Sequence, residues 1–402
     1  MKAGWQKKML GEVLQKTETI NPLQFPEVEL DYVDVSSVSN KTFQIEETQR
    51  LKGKDAPSRA RRLLKTNDVL FATVRPTLQR IAIVPEHLNN QVCSTGYFVL
   101  RPKSDFDHRY VFYFLFTEGF MSQMEALQKG ASYPAVTDGE VRGQIIEFPP
   151  LPEQQRIVGI LDEAFDGIAT AKANAAQNLQ NARALFESHL QSVFTQRGEG
   201  WVEKPLSELC EIKHGFAFKS EFFTNKGDYV LLTPGNFYES GGYRERGEKQ
   251  KYYSGDFPRN YILEQGDLLV AMTEQAAGLL GSPILVPEPN KFLHNQRLGL
   301  VIKKSGVPWT NEFFFHVFNT CNVRKEIHDS ASGVKVRHTS PTKIGELAVS
   351  FPASISEQGT IVSKLNDLDE ETQRLESIYQ QKRAALDELK KSLLQQAFTG
   401  QL

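Results

Sequence analysis

Apolar residues return every three or four positions along two long stretches of the chain. In the first, Ile157, Leu161, Ala164, Ile168, Ala171, Ala175, Asn178, Ala182, Leu185 and His189 follow a four-three spacing. In the second, Ile361, Leu365, Leu368, Thr372, Leu375, Tyr379, Lys382, Leu386, Leu389 and Leu393 do the same. A seam repeating every 3.5 residues over about five heptads predicts two coiled-coil helices. Each runs to about 43 residues, roughly 60 Å at 1.5 Å per residue. Pro152 suits the first turn of the first helix, and Ser354 with Glu357 predicts a capping box on the second. The first seam carries small Ala where the second has mostly larger residues, which predicts an antiparallel intramolecular pair. The competing arrangements are packing of each helix on its own module and homodimerisation through the seam.

Outside these stretches the pattern is shorter. Val69–Val74, Ile81–Val84, Leu268–Met272 and Leu298–Ile302 predict strands. One helical stretch per module is predicted near Arg109–Lys129 and Trp309–Asp329. The fold class is therefore α+β: two repeated modules, residues 1–150 and 199–352, separated by two long helices, 151–198 and 353–402.

The repeat is legible residue by residue. Gly4-Trp5 and Leu10-Gly11-Glu12 recur as Gly200-Trp201 and Leu206-Ser207-Glu208. Asn67-Asp68-Val69-Leu70 recurs as Gly266-Asp267-Leu268-Leu269, Asn90-Gln91 pairs with Asn295-Gln296, and Gly130 pairs with Gly333. Glu153-Gln154 returns as Glu357-Gln358, and Leu185 to Thr195 as Leu389 to Thr399. The offset drifts through the modules and then holds constant, so insertions lie in module loops while the helices keep register.

Composition narrows the class. Of 402 residues, 40% are hydrophobic and 24% charged, the balance of a globular protein. No apolar run is long enough to span a membrane, and Met1 to Ile20 lacks a signal-peptide core. Cys93, Cys210 and Cys321 are too far apart for a disulfide framework or zinc-ligand spacing, which predicts a reducing, cytoplasmic setting. The formal net charge is -2, so a nucleic-acid face requires positive charge sorted to one side of each module.

No phosphate loop, dinucleotide turn, methyltransferase motif, nucleophile elbow or metal-ligand cluster occurs. Glu388-Leu389-Lys390 superficially fits a nuclease tail but lies on the coiled-coil helix. Local positive charge stands out instead. Between Arg50 and Arg75 lie Lys52, Lys54, Arg59, Arg61, Arg62 and Lys65, with Asp55 and Asp68 the only acids. The second module answers with Tyr238, Tyr243, Arg244, Arg246, Lys249, Lys251, Tyr252, Tyr253 and Arg259. Basic residues beside aromatic and Gly-rich turns suit phosphate and base-edge contact; a solvated loop is the competing reading. The candidate DNA contacts are Arg59, Arg61, Arg62, Arg75, Lys129, Tyr133, Tyr243, Arg244, Arg246, Lys249, Lys251, Lys335 and Arg337.

The module endings carry a resemblance. Gly130-Ala131-Ser132-Tyr133, then Phe148-Pro149-Pro150-Leu151-Pro152-Glu153-Gln154-Gln155-Arg156-Ile157-Val158, and the helix ending Leu393-Leu394-Gln395-Gln396-Ala397-Phe398-Thr399-Gly400, resemble the specificity subunits of Type I restriction-modification systems. In the second copy Ala353-Ser354-Ile355-Ser356 replaces the prolines. The resemblance covers essentially the whole chain. It implies a subunit without a catalytic site, whose two target-recognition domains each read one half of a bipartite, asymmetric sequence in double-stranded DNA. The helices set the spacing between the halves. It further implies two modification subunits that methylate adenine with S-adenosylmethionine, and restriction subunits that bring ATP- and Mg-dependent translocation and cleavage. This chain itself would bind no cofactor and no membrane. The alternatives are a coiled-coil scaffold that binds protein without DNA specificity and an enzyme whose site assembles only in space.

Overall fold

The computed structural model describes residues 4–275 and 278–402. The chain divides into two compact units, Met1–Gln177 with Tyr379–Leu402, and Asn178–Ile378.

In the first unit the fully buried run Val69–Ala72 forms the central strand, paired antiparallel with Ile81–Ile83 on one side and Tyr97–Leu100 on the other. Alternate residues of a strand face opposite ways. Val69 and Phe71 therefore join a core with Phe98, Tyr110, Phe114, Phe120 and Met124. Leu70 and Ala72 join Val33, Leu64, Cys93 and Val99 on the other face. A second sheet orders Gln49–Lys52, Glu29–Val33, Val92–Ser94 and Ala60–Leu63. Gln6–Met9 pairs with Ile145–Phe148, closing the module on itself.

The second unit repeats this plan. Leu268–Ala271 is central, flanked by Pro283–Leu285 and Leu298–Lys303. Here Cys210–His214 adds an outer strand beside Leu298–Lys303. Its counterpart in the first unit is a single bridge between Leu14 and Pro102. Leu268 and Val270 face Phe313, Phe314, Phe318 and Val323. Leu269 and Ala271 face Leu232, Phe237 and Phe292.

Each helical stretch expected as one element is two. His108–Phe114 and Glu118–Leu127 break at Thr117, whose hydroxyl donates to Phe114 O at 2.8 Å and accepts from Phe120 N. Asn311–Phe318 and Cys321–Asp329 break at Thr320, whose hydroxyl donates to Val317 O. A threonine that bonds backward to the preceding turn competes with helix continuation.

The long helices are Leu151–Gln196 and Ile355–Thr399. In the first unit their segments run antiparallel: Arg156 donates to Leu402 O at 2.8 Å and Lys172 pairs with Asp387 at 2.5 Å. Lys390 lies between the rings of Phe43 and Phe165, 5.4 and 4.8 Å from their centroids. In the second unit Arg183 pairs with Glu376 at 2.5 Å. The seam is buried at Ile157, Leu161, Ile168, Ala175 and Ala182 and at Leu365 and Thr372. Ile361, Leu368, Leu375 and Leu386 are half-buried.

Five expected seam residues are not in it. Leu185 is 61% exposed and Leu389 47%, and Asn178, His189 and Lys382 are exposed as well. A helix of 3.6 residues per turn drifts about 20° per heptad against a strict 3.5 repeat. The covered stripe accordingly passes to Phe186 and Leu190 on the first helix and to Lys390 and Leu394 on the second. The capping box of the second helix is half formed: Ser354 Oγ accepts from Glu357 N at 3.4 Å, while Glu357 Oε1 accepts from Trp201 Nε1 at 3.1 Å.

Candidate nucleic-acid interface

The central strand of each module ends in the same ladder of main-chain bonds. In the first, Thr73 N donates to Gly96 O and Val136 N donates to Thr73 O, both at 2.9 Å. In the second, Met272 N donates to Arg297 O and Thr339 N to Met272 O, both at 3.0 Å. Gly96 and Arg297 are thus equivalent. The pairing of Asn90-Gln91 with Asn295-Gln296 expected from sequence is corrected: hydrogen bonding matches the segment before Gly96 to the one before Arg297.

A small hairpin docks on each ladder. Lys129 and Ala135 exchange two bonds of 2.9 Å; Ser332 and His338 exchange bonds of 2.9 and 2.8 Å. Both hairpins need glycine. Gly130 and Gly333 have φ of +105° and +95°, and a Cβ at Gly333 would lie 2.1 Å from Val336 O. The tips face solvent, Tyr133 at 71% and Val334 at 98% exposure.

The first module brings several candidates onto this face. Arg75 has φ +50°, donates its main-chain N–H to Pro134 O at 2.7 Å, and lies 4.9 Å over the Tyr133 ring. Arg59 is exposed, and its carbonyl accepts from Thr95 N at 2.9 Å, one residue from Gly96. Arg61 bonds Ala60 O. Among the described residues none of these three guanidinium groups has a carboxylate partner. Others are engaged: Arg62 pairs with Asp138 at 2.8 Å and Lys129 with Glu140 at 3.3 Å. Lys52 and Lys54 share Glu27, and Arg50 holds Glu29.

In the second module the basic loop is largely seated on its own module. The half-buried Tyr243 ring packs edge-on against Phe292. Arg246 lies against Gly235, Arg244 over Tyr238 and Lys251 over Phe223. Lys249 and Lys335 are exposed. Arg337 bonds the His328 ring and carbonyl. At the position equivalent to Arg75 stands Glu274, buried, whose Oε2 accepts from the N–H groups of Gly278, Leu279 and Leu280 at 3.0–3.1 Å.

Residues far apart in the chain meet on the second ladder. His214, Gly215, Thr273, Gln296, Arg297 and His338 line one groove of about 430 Å³. No sequence signal joined His214 to His338, which come from strands more than a hundred positions apart. Asp68, typical of the repeat, is structural: it is 1% exposed and holds Arg101 at 2.7 and 2.8 Å. Among the described residues Asp267 has no such partner, because Ile302 occupies the place of Arg101, and burial raises its carboxyl above its ordinary value. Among the described residues there is no cluster of three metal-ligating side chains, and no helix is long and apolar enough to cross a membrane.

Comparison with known proteins agrees with this repeated plan. The profile of the Type I restriction modification DNA specificity domain matches residues 2–180 and 198–382. The Type I restriction enzyme EcoBI specificity subunit of Escherichia coli is 28% identical over 227 residues, 55% of this chain and 43% of that one. The HindI specificity subunit of Haemophilus influenzae is 26% identical over 46% of this chain and 40% of its own length. The alignments therefore span less than half of those relatives. A chain solved in work on complex assembly and conformational transition of the type I R-M system superposes with a TM-score of 0.85 at 25% identity, covering 100% of this chain and 99% of that one. The HsdS subunit from Thermoanaerobacter tengcongensis gives 0.71 at 25% identity, over 100% and 98%. With two copies of the domain profile spanning nearly all of its length, the chain belongs to the Type I restriction-modification DNA specificity family.

Proposed function

We propose that this chain is the specificity subunit of a Type I restriction-modification complex, recognising a bipartite, asymmetric sequence in double-stranded DNA. The observation that carries the reading is the repeated ladder. Two faces of the same main-chain construction present different side chains, as a protein reading two unlike half-sites requires. In the first, Arg59 and Arg75 are exposed and, among the described residues, have no carboxylate partner. Phosphate contacts then fix position, while base-edge contacts carry sequence information.

The chain is a non-catalytic subunit in this reading. Two modification subunits bind it and supply adenine methylation with S-adenosylmethionine. Restriction subunits supply ATP- and Mg-dependent cleavage. The long helices serve, in this reading, as the spacer between the two half-sites.

The test exchanges residues 1–150 for the corresponding module of another family member and maps methylated adenine in a host genome. One half of the motif changes and the other stays. A change in both halves, or duplex binding that does not fall linearly against log salt, overturns the reading in favour of a protein-only scaffold.

A further inference from the structure

The groove on the second ladder joins a hydrogen-bonded main chain to exposed side chains. Gly215 is forced by its surroundings: a Cβ there would lie 2.3 Å from the backbone of Asn295 and 2.4 Å from His294 O. That close approach seats His214 beside the 295–297 segment. Phe216 N donates to His294 O and Gln296 N donates to Phe216 O, at 2.9 and 3.0 Å. Buried Asn295 accepts from Arg297 N at 3.0 Å, and Arg297 O accepts from Met272 N. His338 Nδ1 lies 3.2 Å from Thr273 Oγ1, which orients the ring. The main chain is held at every root, yet the Gln296 and Arg297 side chains are exposed, and among the described residues no carboxylate lines the groove. Among the described residues Arg297 has no ion-pair partner.

We propose that Arg297 and Gln296 read base edges of the second half-site from this groove, flanked by His214 and His338. The proposal rests on the reading of the chain as a DNA-specificity subunit. An arginine fork matches guanine O6 and N7, and a side-chain amide matches adenine N6 and N7. Fixing the main chain while leaving the side chain free lowers the ordering cost of such contacts. Arg297 stands where the first module has Gly96, so the two modules furnish one scaffold differently. Arg59, Arg75 and Tyr133 populate the first face; Arg297, Gln296 and two histidines populate the second. The loop carrying Arg244, Arg246 and Lys251 then serves phosphate contact, its cations already resting on the module.

The experiment uses the complex assembled with its modification subunits. Wild type, Arg297→Ala, Arg297→Lys and Gln296→Ala are compared by methylated-adenine mapping. Binding is measured to duplexes carrying the wild-type motif or single substitutions in either half. Arg297→Ala is expected to relax one position of one half-site, cutting discrimination there roughly tenfold to hundredfold, with an unchanged melting temperature. Arg297→Lys keeps the charge but loses the two-pronged fork, and is expected to relax the same position. If Arg297→Lys keeps full discrimination while Arg297→Ala weakens all duplexes alike, the residue contacts phosphate and the proposal fails. It fails also if wild type binds and both alanine variants methylate the unaltered motif. A wild-type complex that does not bind duplex overturns the underlying reading instead.

Discussion

Gln154 and Gln358, related by the repeat, are fully buried and make the same bonds. Gln154 Nε2 donates to Pro149 O at 2.9 Å and its Oε1 accepts from Asp107 N at 3.0 Å. Gln358 Nε2 donates to Pro352 O at 3.0 Å and its Oε1 accepts from Thr310 N at 3.1 Å. Each amide ties the last strand of its module to the start of a long helix and to the entry of the module's own helical pair. Replacing either by Ala orphans a buried N–H and a carbonyl, each worth about 1–3 kcal/mol. Gln154→Ala and Gln358→Ala should each lower the denaturation midpoint, and Glu at either site should do worse by adding a charge and removing a donor.

The two repeat-related aspartates should part company. Arg101 is 13% exposed and its partner Asp68 1%. Removing one member of such a pair leaves an uncompensated charge, costing about 3–5 kcal/mol. Arg101→Ala should therefore destabilise strongly in chemical denaturation. Asp267→Asn, at a carboxyl that burial already disfavours when charged, should change stability little at neutral pH.

Acid should weaken the second unit. His294 donates from Nε2 to Leu298 O in the core, and His316 is buried too. Burial pushes both down to about 4, from an ordinary value of 6.5. The unfolded chain takes up protons below about pH 6.5 that the folded unit refuses, so stability present above that pH is lost progressively toward pH 4. Thermal melts between pH 7 and 4.5 should show the fall, and the double variant His294→Asn, His316→Asn should flatten it.

Seam substitutions test the drift of the covered stripe. Leu161→Ala and Leu365→Ala, at fully buried positions, should cost about 2–5 kcal/mol. Leu185→Ala and Leu389→Ala should stay within about 0.5 kcal/mol. Equal losses at all four would restore the strict 3.5-residue seam.

Among the cations, stability and binding should separate. Arg62→Ala breaks the bridge to Asp138 and should lower the melting point of the free chain. Arg59→Ala should leave melting unchanged and weaken duplex binding by the complex, flattening its salt slope by about one unit.

Much of the architecture was legible because a repeat displays its own register. Strands such as Val69–Ala72 and Leu268–Ala271, and both long helices, follow from periodicity alone. The ends of the seam did not, because Leu185 and Phe186 are both apolar neighbours and only accumulated helical twist decides which is covered. The helical breaks at Thr117 and Thr320 depend on one hydroxyl each. Charge runs marked Arg59 and Arg75 but equally marked Arg62, whose partner Asp138 lies 76 positions away and is invisible in sequence. The groove of His214, Arg297 and His338 left no trace at all, being assembled from three separated strand ends.

The main-chain bonds of the ladder recur beside each central strand whatever side chains stand over them. Arg75 and Glu274 show the consequence, since opposite charges occupy one position without altering the bonds beneath them. A change at an exposed side chain of this face, such as Arg75 or Arg297, leaves those main-chain bonds intact. On the function proposed above, new sequence preferences would arise by point substitution at such exposed positions, over an unaltered main-chain frame.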